Sequence, residues 1–477
     1  MRRDLGVFIL VACPAFAQPA PAKLVTLDIA AMGAHGQAIP DLRSSEIEIF
    51  DNKKAQSIVY WRSNERRPDI PHVTVVLFSL ENAGIKSAAW NEAVSAMRRF
   101  EASDYLYFYA VTDRGVLLPI HALPKPDADS PPENVPWVDQ RLPQFESANS
   151  LQQPPWDMDY SPHNGASFTY AQYATLNYAQ DIATRLAAFP GRKSLVCIGC
   201  LLFNASSWHA NNPEASQAAL ATELRQLAGA FHLARVAVYP VGGQRRIFLA
   251  SQVGESVNLI RIDQIDGFAR VTGGRAYAHG EIEQAVTQAV DDGRSSYRIG
   301  YLPPPGNWDG KTHQIKIVST RAGVRALAPS WYFADLLEDV GREWKPAIPD
   351  FIITSPLDQP DIAVSVSQPE RVANTVRIRV RVDAADLLLL PRDGRYSGSL
   401  TLQALCYTSE GRRLACTEPL HFKLDLSQRE RDTAMSGGLW FPLSLAASEV
   451  SAKIRVVAYD ASSGAAGSST LLIQETH

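Results

Sequence analysis

The sequence predicts a chain of mixed class, α/β plus all-β: an α/β domain with a mostly parallel sheet, inserted in a small β-sandwich and followed by a C-terminal β-sandwich. Three observations carry that prediction. Continuous apolar runs alternate with helix-spaced stretches between residues 70 and 293. The two-residue alternation of half-buried strands flanks that region on both sides. Beyond residue 350 a further series of short alternating runs is separated by turn residues.

Residues 18–69 form the first β-segment, with runs at Leu24–Ile29, Glu46–Phe50 and Ile58–Trp61 punctuated by Gly33, Gly36 and Asp51-Asn52. So short a segment cannot bury a core alone and needs strands from elsewhere. The α/β domain, 70–293, opens with Val73–Phe78, a run apolar enough to be buried on both faces. Helical spacing follows over Ser87–Phe100, strand runs over Tyr105–Val111 and Val116–Leu123, then helical spacing over Phe168–Phe189. The strand Ser194–Ile198, the helix Ala215–Phe231, the strand Arg235–Val241 and the helix Glu281–Asp292 continue the alternation. Residues 294–334 return to strands at Tyr297–Tyr301, Gln314–Val318 and Trp331–Phe333, which complement the first segment. A linker over 335–349 leads to the C-terminal sandwich, 350–477, in which Ser462–Gly467 reads as a flexible turn.

The chain has 477 residues, 46% hydrophobic and 20% charged, which indicates several globular domains rather than disorder. Arg2 and Arg3 precede the apolar run Leu5–Ala12, Pro14 breaks it, and Ala15-Phe16-Ala17 precedes Gln18, so residues 1–17 read as a signal peptide. Export to the periplasm, the cell surface or the medium follows, with lipidation at Cys13 as the alternative. Losing Arg2, Arg3 and Asp4 takes the formal charge from −4 to −5, which offers no basic footprint for nucleic acid. No apolar run approaches the roughly 20 residues of a transmembrane helix.

Export permits disulfides. Cys406 and Cys416 lie symmetrically about Gly411 and would face each other in a hairpin, either as a disulfide or as two packed thiols. Cys197 and Cys200 have the spacing of a redox pair, but Cys197 sits within an apolar strand rather than at a helix N-terminus. That placement favours two buried structural thiols over a bent-strand disulfide or a redox centre.

Four stretches resemble the acidobacterial-type VWFA-related domain family. They are residues 24–60, Pro190–Val196, Val236–Val241, and Ser296–Tyr301 with Asp309–Ile317. The resemblance covers about 24–333 and implies a von Willebrand A-like (Rossmann-like) fold for 70–293 in an exported protein. Such domains often bind a partner through Mg²⁺ held by Asp-x-Ser-x-Ser after the first strand, with hydroxyl and carboxylate ligands on later loops. Here Ser79 stands where the Asp belongs, Glu81 where the first Ser belongs, and Ala83 where the second belongs. A metal site is therefore degenerate and no cofactor is expected; if one is retained, its residues are Ser79, Glu81, Asn82 and Thr169, with Ser167 an alternative hydroxyl.

No His-Glu-x-x-His and no Gly-x-Ser-x-Gly occurs, so the sequence does not indicate an enzyme. The proline-rich stretch 124–165 reads as a long loop whose Trp137, Trp156 and Tyr160 are candidate anchors for a protein partner. The expected function is metal-independent protein binding as an adhesion or scaffold protein. The alternatives are a thiol-disulfide redox protein using Cys197 and Cys200, or a purely architectural envelope component.

Overall fold

The computed structural model describes residues 24–63, 72–80, 85–102, 105–112, 115–125, 135–149, 177–199, 228–242, 269–278, 280–304, 306–334, 347–408, 412–446 and 452–473. Strands β1 (Val25–Met32), β2 (Ile47–Asp51), β3 (Lys54–Gln56) and β4 (Ile58–Ser63) open the chain. They are completed by β10 (Ser296–Tyr301), β11 (Thr312–Ser319), β12 (Arg325–Leu327) and β13 (Trp331–Phe333). Two antiparallel sheets result, with orders β12-β1-β10-β4 and β13-β11-β2-β3. Alternation decides which side chains they enclose: Leu27, Ile29, Tyr297 and Ile299 face the shared core with Ile49 and Ile315. Asp28 and Arg298, paired across β1 and β10, belong to the opposite set.

Between these halves runs a five-stranded sheet, β7-β6-β5-β8-β9. Its strands are β5 (Val73–Ser79), β6 (Tyr105–Val111), β7 (Leu117–His121), β8 (Lys193–Ile198) and β9 (Val236–Val241). β5, β6, β8 and β9 are parallel, and β7 pairs antiparallel at the edge. Every residue of β5, β8 and β9 is buried, as their apolar runs require. Helices α1 (Ala88–Phe100) and α3 (Ile282–Arg294) cover one face through Trp90, Met97, Val286 and Ala289. Helical residues 177–186 cover the other through Ile182 and Leu186. α1 starts where the Ser87 side chain accepts the Trp90 N–H, an N-cap.

The C-terminal region adds β14 (Val364–Val366), β15 (Glu370–Val372), β16 (Thr375–Val382), β17 (Leu390–Arg392) and β18 (Arg395–Tyr407). β19 (Arg413–Ala415), β20 (Leu420–Ser427), β21 (Leu439–Ala446), β22 (Lys453–Asp460) and β23 (Ala465–Leu472) follow. The sheet β14-β16-β15, with β21 also on β16, packs against the sheet β17-β18-β22-β23, with β19 and β20 also on β18. All its pairings are antiparallel. β16 (Thr375–Val382) and β21 (Leu439–Ala446) show why: Val376, Ile378, Val380 and Val382 meet Leu439, Phe441, Leu443 and Leu445 in one core, while the intervening residues point away.

The expected fold class is corrected by this architecture. Among the described residues strand accounts for 44% and helix for 24%, and four of the five sheets there are antiparallel. One five-stranded sheet with an antiparallel edge does not establish the von Willebrand A-like (Rossmann-like) domain that the strand–helix alternation and the family resemblance implied. Two local expectations also fail. The stretch read as loop contains helix α2 (Val138–Asn149), whose Val138, Leu142 and Phe145 pack inward despite Pro143. The turn read over Ser462–Gly467 becomes strand from Ala465, where β23 (Ala465–Leu472) begins. Gly467 there lies so close to the Ile362 carbonyl that a Cβ would come within 2.1 Å of its oxygen. Among the described residues no helix is long and apolar enough to cross a membrane.

Candidate functional site

The residues singled out for metal binding fall at the carboxyl end of β5. Ser79 is buried there and pairs with Val111. Glu81, Asn82, Ser167 and Thr169 lie outside the described residues. Among the described residues no group of His, Cys, Asp and Glu has the makings of a metal site.

Of the three aromatic anchors, Trp156 and Tyr160 lie outside the described residues. Trp137 does not serve as a surface anchor: it is 2% exposed, its ring 4.6 Å from His121 and 6.5 Å from Phe108. The Glu101 carboxylate fixes it there by accepting the N–H groups of Trp137 and Val138, each at 2.6 Å, at the start of α2. Burial and the Arg141 charge push the neighbouring His121 down to about 4.

Cys197 is fully buried and disulfide-bonded, which corrects the expectation of a packed thiol; Cys200 lies outside the described residues. Cys406 and Cys416 form a disulfide with their Cα atoms 5.6 Å apart. They do not face each other directly, because the hairpin register pairs Cys406 with Leu414 and brings the Cys416 N–H to the Ala404 carbonyl. The bond is diagonal.

The chemistry gathers at the opposite end of the five-stranded sheet, where β8 and β9 begin. On the outer face of the first β-unit, Asp28, Arg298 and Arg62 occupy one row across β1, β10 and β4. Arg235, just before β9, reaches down to this row: its Nε and Nη2 donate to the Asp28 carboxylate at 2.6 and 2.7 Å, and its Nη1 to Asp361 Oδ2 at 3.1 Å. Asp361, from the C-terminal region, also accepts from Arg298 Nη1 at 2.9 Å, and Arg62 is hydrogen-bonded to Asp386. Three guanidinium groups and three carboxylates thus tie the three parts of the chain together.

Burial alone would raise both Asp28 and Asp361. The Arg235 charge, joined by Arg298, outweighs it and holds both carboxyls below their usual range. Arg235 itself has φ +59°, a left-handed conformation that costs an L-residue about 1–2 kcal/mol. Its ion pairs hold it in that conformation.

A cavity of about 370 Å³ opens beside this network. Its polar lining includes Lys193, Arg192 and His232 besides Asp28, Arg235, Arg298 and Asp361. Apolar wall comes from Trp308, Pro329 and Phe351. Leu233 and Phe333, also lining residues, are 73% and 51% exposed, so they form an apolar mouth. Lys193, the first residue of β8, is 1% exposed and donates to the Phe189 carbonyl at 3.0 Å. Burial, with Arg235 adding to it, pushes its amine well below the usual lysine range.

A second buried polar cluster surrounds Asp51. Tyr301, Tyr332 and Asn307 donate to its Oδ2, and His313 Nδ1 lies 2.9 Å from its Oδ1. His313 Nε2 lies 3.2 Å from Asp309. With its oxygens taken by partners from β10, β11, β13 and the intervening turn, Asp51 pins the closing hairpin onto β2. That is a structural role.

Sequence reasoning missed the junction because alternation places Asp28 and Arg298 on a polar, outward face, which normally means solvent. A signal was present in like positions of neighbouring strands carrying opposite charges. No family model matches the chain, and no curated protein matches it.

Proposed function

We propose that this chain is an exported, non-catalytic binding protein that engages a protein partner at the mouth of the cavity between its three parts. The observation that supports this reading most is the pair of exposed apolar side chains at that mouth, Leu233 and Phe333. They come from different parts of the chain, and the Asp28–Arg235 pair two residues beyond Leu233 holds the two sides in fixed relation. A preformed apolar rim around buried charge loses little entropy when a partner docks. Export is supported by the Cys406–Cys416 disulfide together with the signal-like N-terminus.

Affinity capture from an extract of the source organism tests the reading, with and without EDTA. The native chain is expected to retain a partner in both conditions, and the double substitution Leu233→Asp, Phe333→Asp to lose it. An unchanged set of captured proteins for the double variant overturns the mouth as the docking surface. Loss of capture in EDTA overturns metal independence.

A further inference from the structure

Two of the cations that line the cavity, Arg192 and Lys193, make no direct ion pair among the described residues. Arg62, Arg235 and Arg298 stand against Asp28, Asp361 and Asp386 in mutual contact. Arg192 reaches Tyr239, whose hydroxyl donates to Asp292 at 2.8 Å. Lys193 lines the same cavity and makes no ion pair among the described residues. An ammonium has three N–H donors, and only the bond to Phe189 occupies one. The Nε atoms of Arg192 and Arg298, both on lining residues, are buried without an acceptor. Buried donors without acceptors are costly, and so is a buried amine without a counter-charge. An anionic acceptor beside Lys193 removes the cost of its missing counter-charge.

We propose that the cavity is a binding site for a small organic anion: a carboxylate held at Lys193 with an apolar body against Trp308 and Phe351. The volume of about 370 Å³ and the aromatic wall argue for an apolar body rather than an inorganic ion. The depressed lysine agrees with this, since a carboxylate beside it restores the charged form. The proposal goes beyond protein binding at the mouth and involves different residues.

The test is calorimetric titration of the full chain with phenylacetate, and with phenylacetamide as a neutral match of the same shape. Phenylacetate is expected to bind saturably, and phenylacetamide about tenfold or more weakly, the worth of a charge-assisted hydrogen bond. Lys193→Met, which keeps the apolar stem, is expected to lose a similar factor. Absence of saturable phenylacetate binding, or equal affinity for acid and amide, overturns the proposal. So does undiminished binding by a folded Lys193→Met protein. Should that variant fail to fold, the comparison of acid with amide in the unmodified chain decides alone. Leu233→Asp with Phe333→Asp tests the mouth separately, so either result can fail without the other.

Discussion

Replacing Asp361 with alanine tests whether the buried charges at the junction hold the chain together. Asp361 Oδ2 accepts from Arg235 at 3.1 Å and from Arg298 at 2.9 Å, and its other oxygen lies 3.9 Å from Arg62. After the change Arg235 keeps both Asp28 oxygens and Arg62 keeps Asp386. Arg298 keeps only two long contacts, at 3.4 Å, to the carbonyls of Ser463 and Gly464. The expected loss is therefore that of one orphaned buried guanidinium, about 3 kcal/mol, at the lower end of the range for breaking a buried pair. Urea denaturation of the full chain followed by tryptophan fluorescence and circular dichroism reads it, without assuming a single transition. Adding Arg298→Met should return most of the loss, because it removes the orphaned charge along with its partner.

Acid sharpens the same test. Asp361 is depressed in the folded state, so its contribution is complete above the ordinary carboxylate pKa of about 3.9 and fades as pH falls toward its lowered folded value. The gap between native and variant chains should be flat around neutrality and close in acid. A loss below about 1 kcal/mol, the worth of an exposed ion pair, or a double variant no better than the single one, refutes the reasoning.

Three further outcomes are expected. Trp137→Ala should destabilise the fold by about 3–5 kcal/mol through a core cavity while leaving partner capture by any folded fraction intact, read by thermal denaturation alongside the pull-down. His121, held down to about 4 by burial, favours its neutral form in the fold, so stability should fall as pH drops from about 6.5 toward 4, and His121→Phe should flatten that slope. Cys406→Ala should cost about 2–3 kcal/mol, because the bond closes a short loop with a sequence separation of 10, measured by denaturation with the reduced native chain as control.

How legible this protein is from its residues depends on what each residue's neighbours are. The continuous apolar runs Val73–Phe78 and Ser194–Ile198 lie within strands buried at every position, because nothing but a doubly covered strand tolerates such a run. The same local clarity misled the fold class, since alternation of strands and helices says nothing of how much antiparallel sheet surrounds them. Pro143 suggested a loop, yet Val138, Leu142 and Phe145 share helical spacing and Glu101 caps the helix from far along the chain. Cys406 and Cys416 look symmetric in sequence, while the register was set by where the turn falls. The junction was least legible of all. Asp28 looks like a solvent-facing residue in an alternating strand, and only the arrival of Arg235 covers it.

The pairing of β1 with β10 also sets a timetable. The first described strand finds its hydrogen-bonding partner only when residues 296–301 exist, with the whole five-stranded sheet made in between. Until then β1 has no strand alongside it and is an open template for mispairing. Such distant closure is slow, since chain entropy is lost before contacts are gained. The Asp361–Arg298 contact joins that closed pair to the C-terminal region, so it acts as a late latch that registers completed assembly.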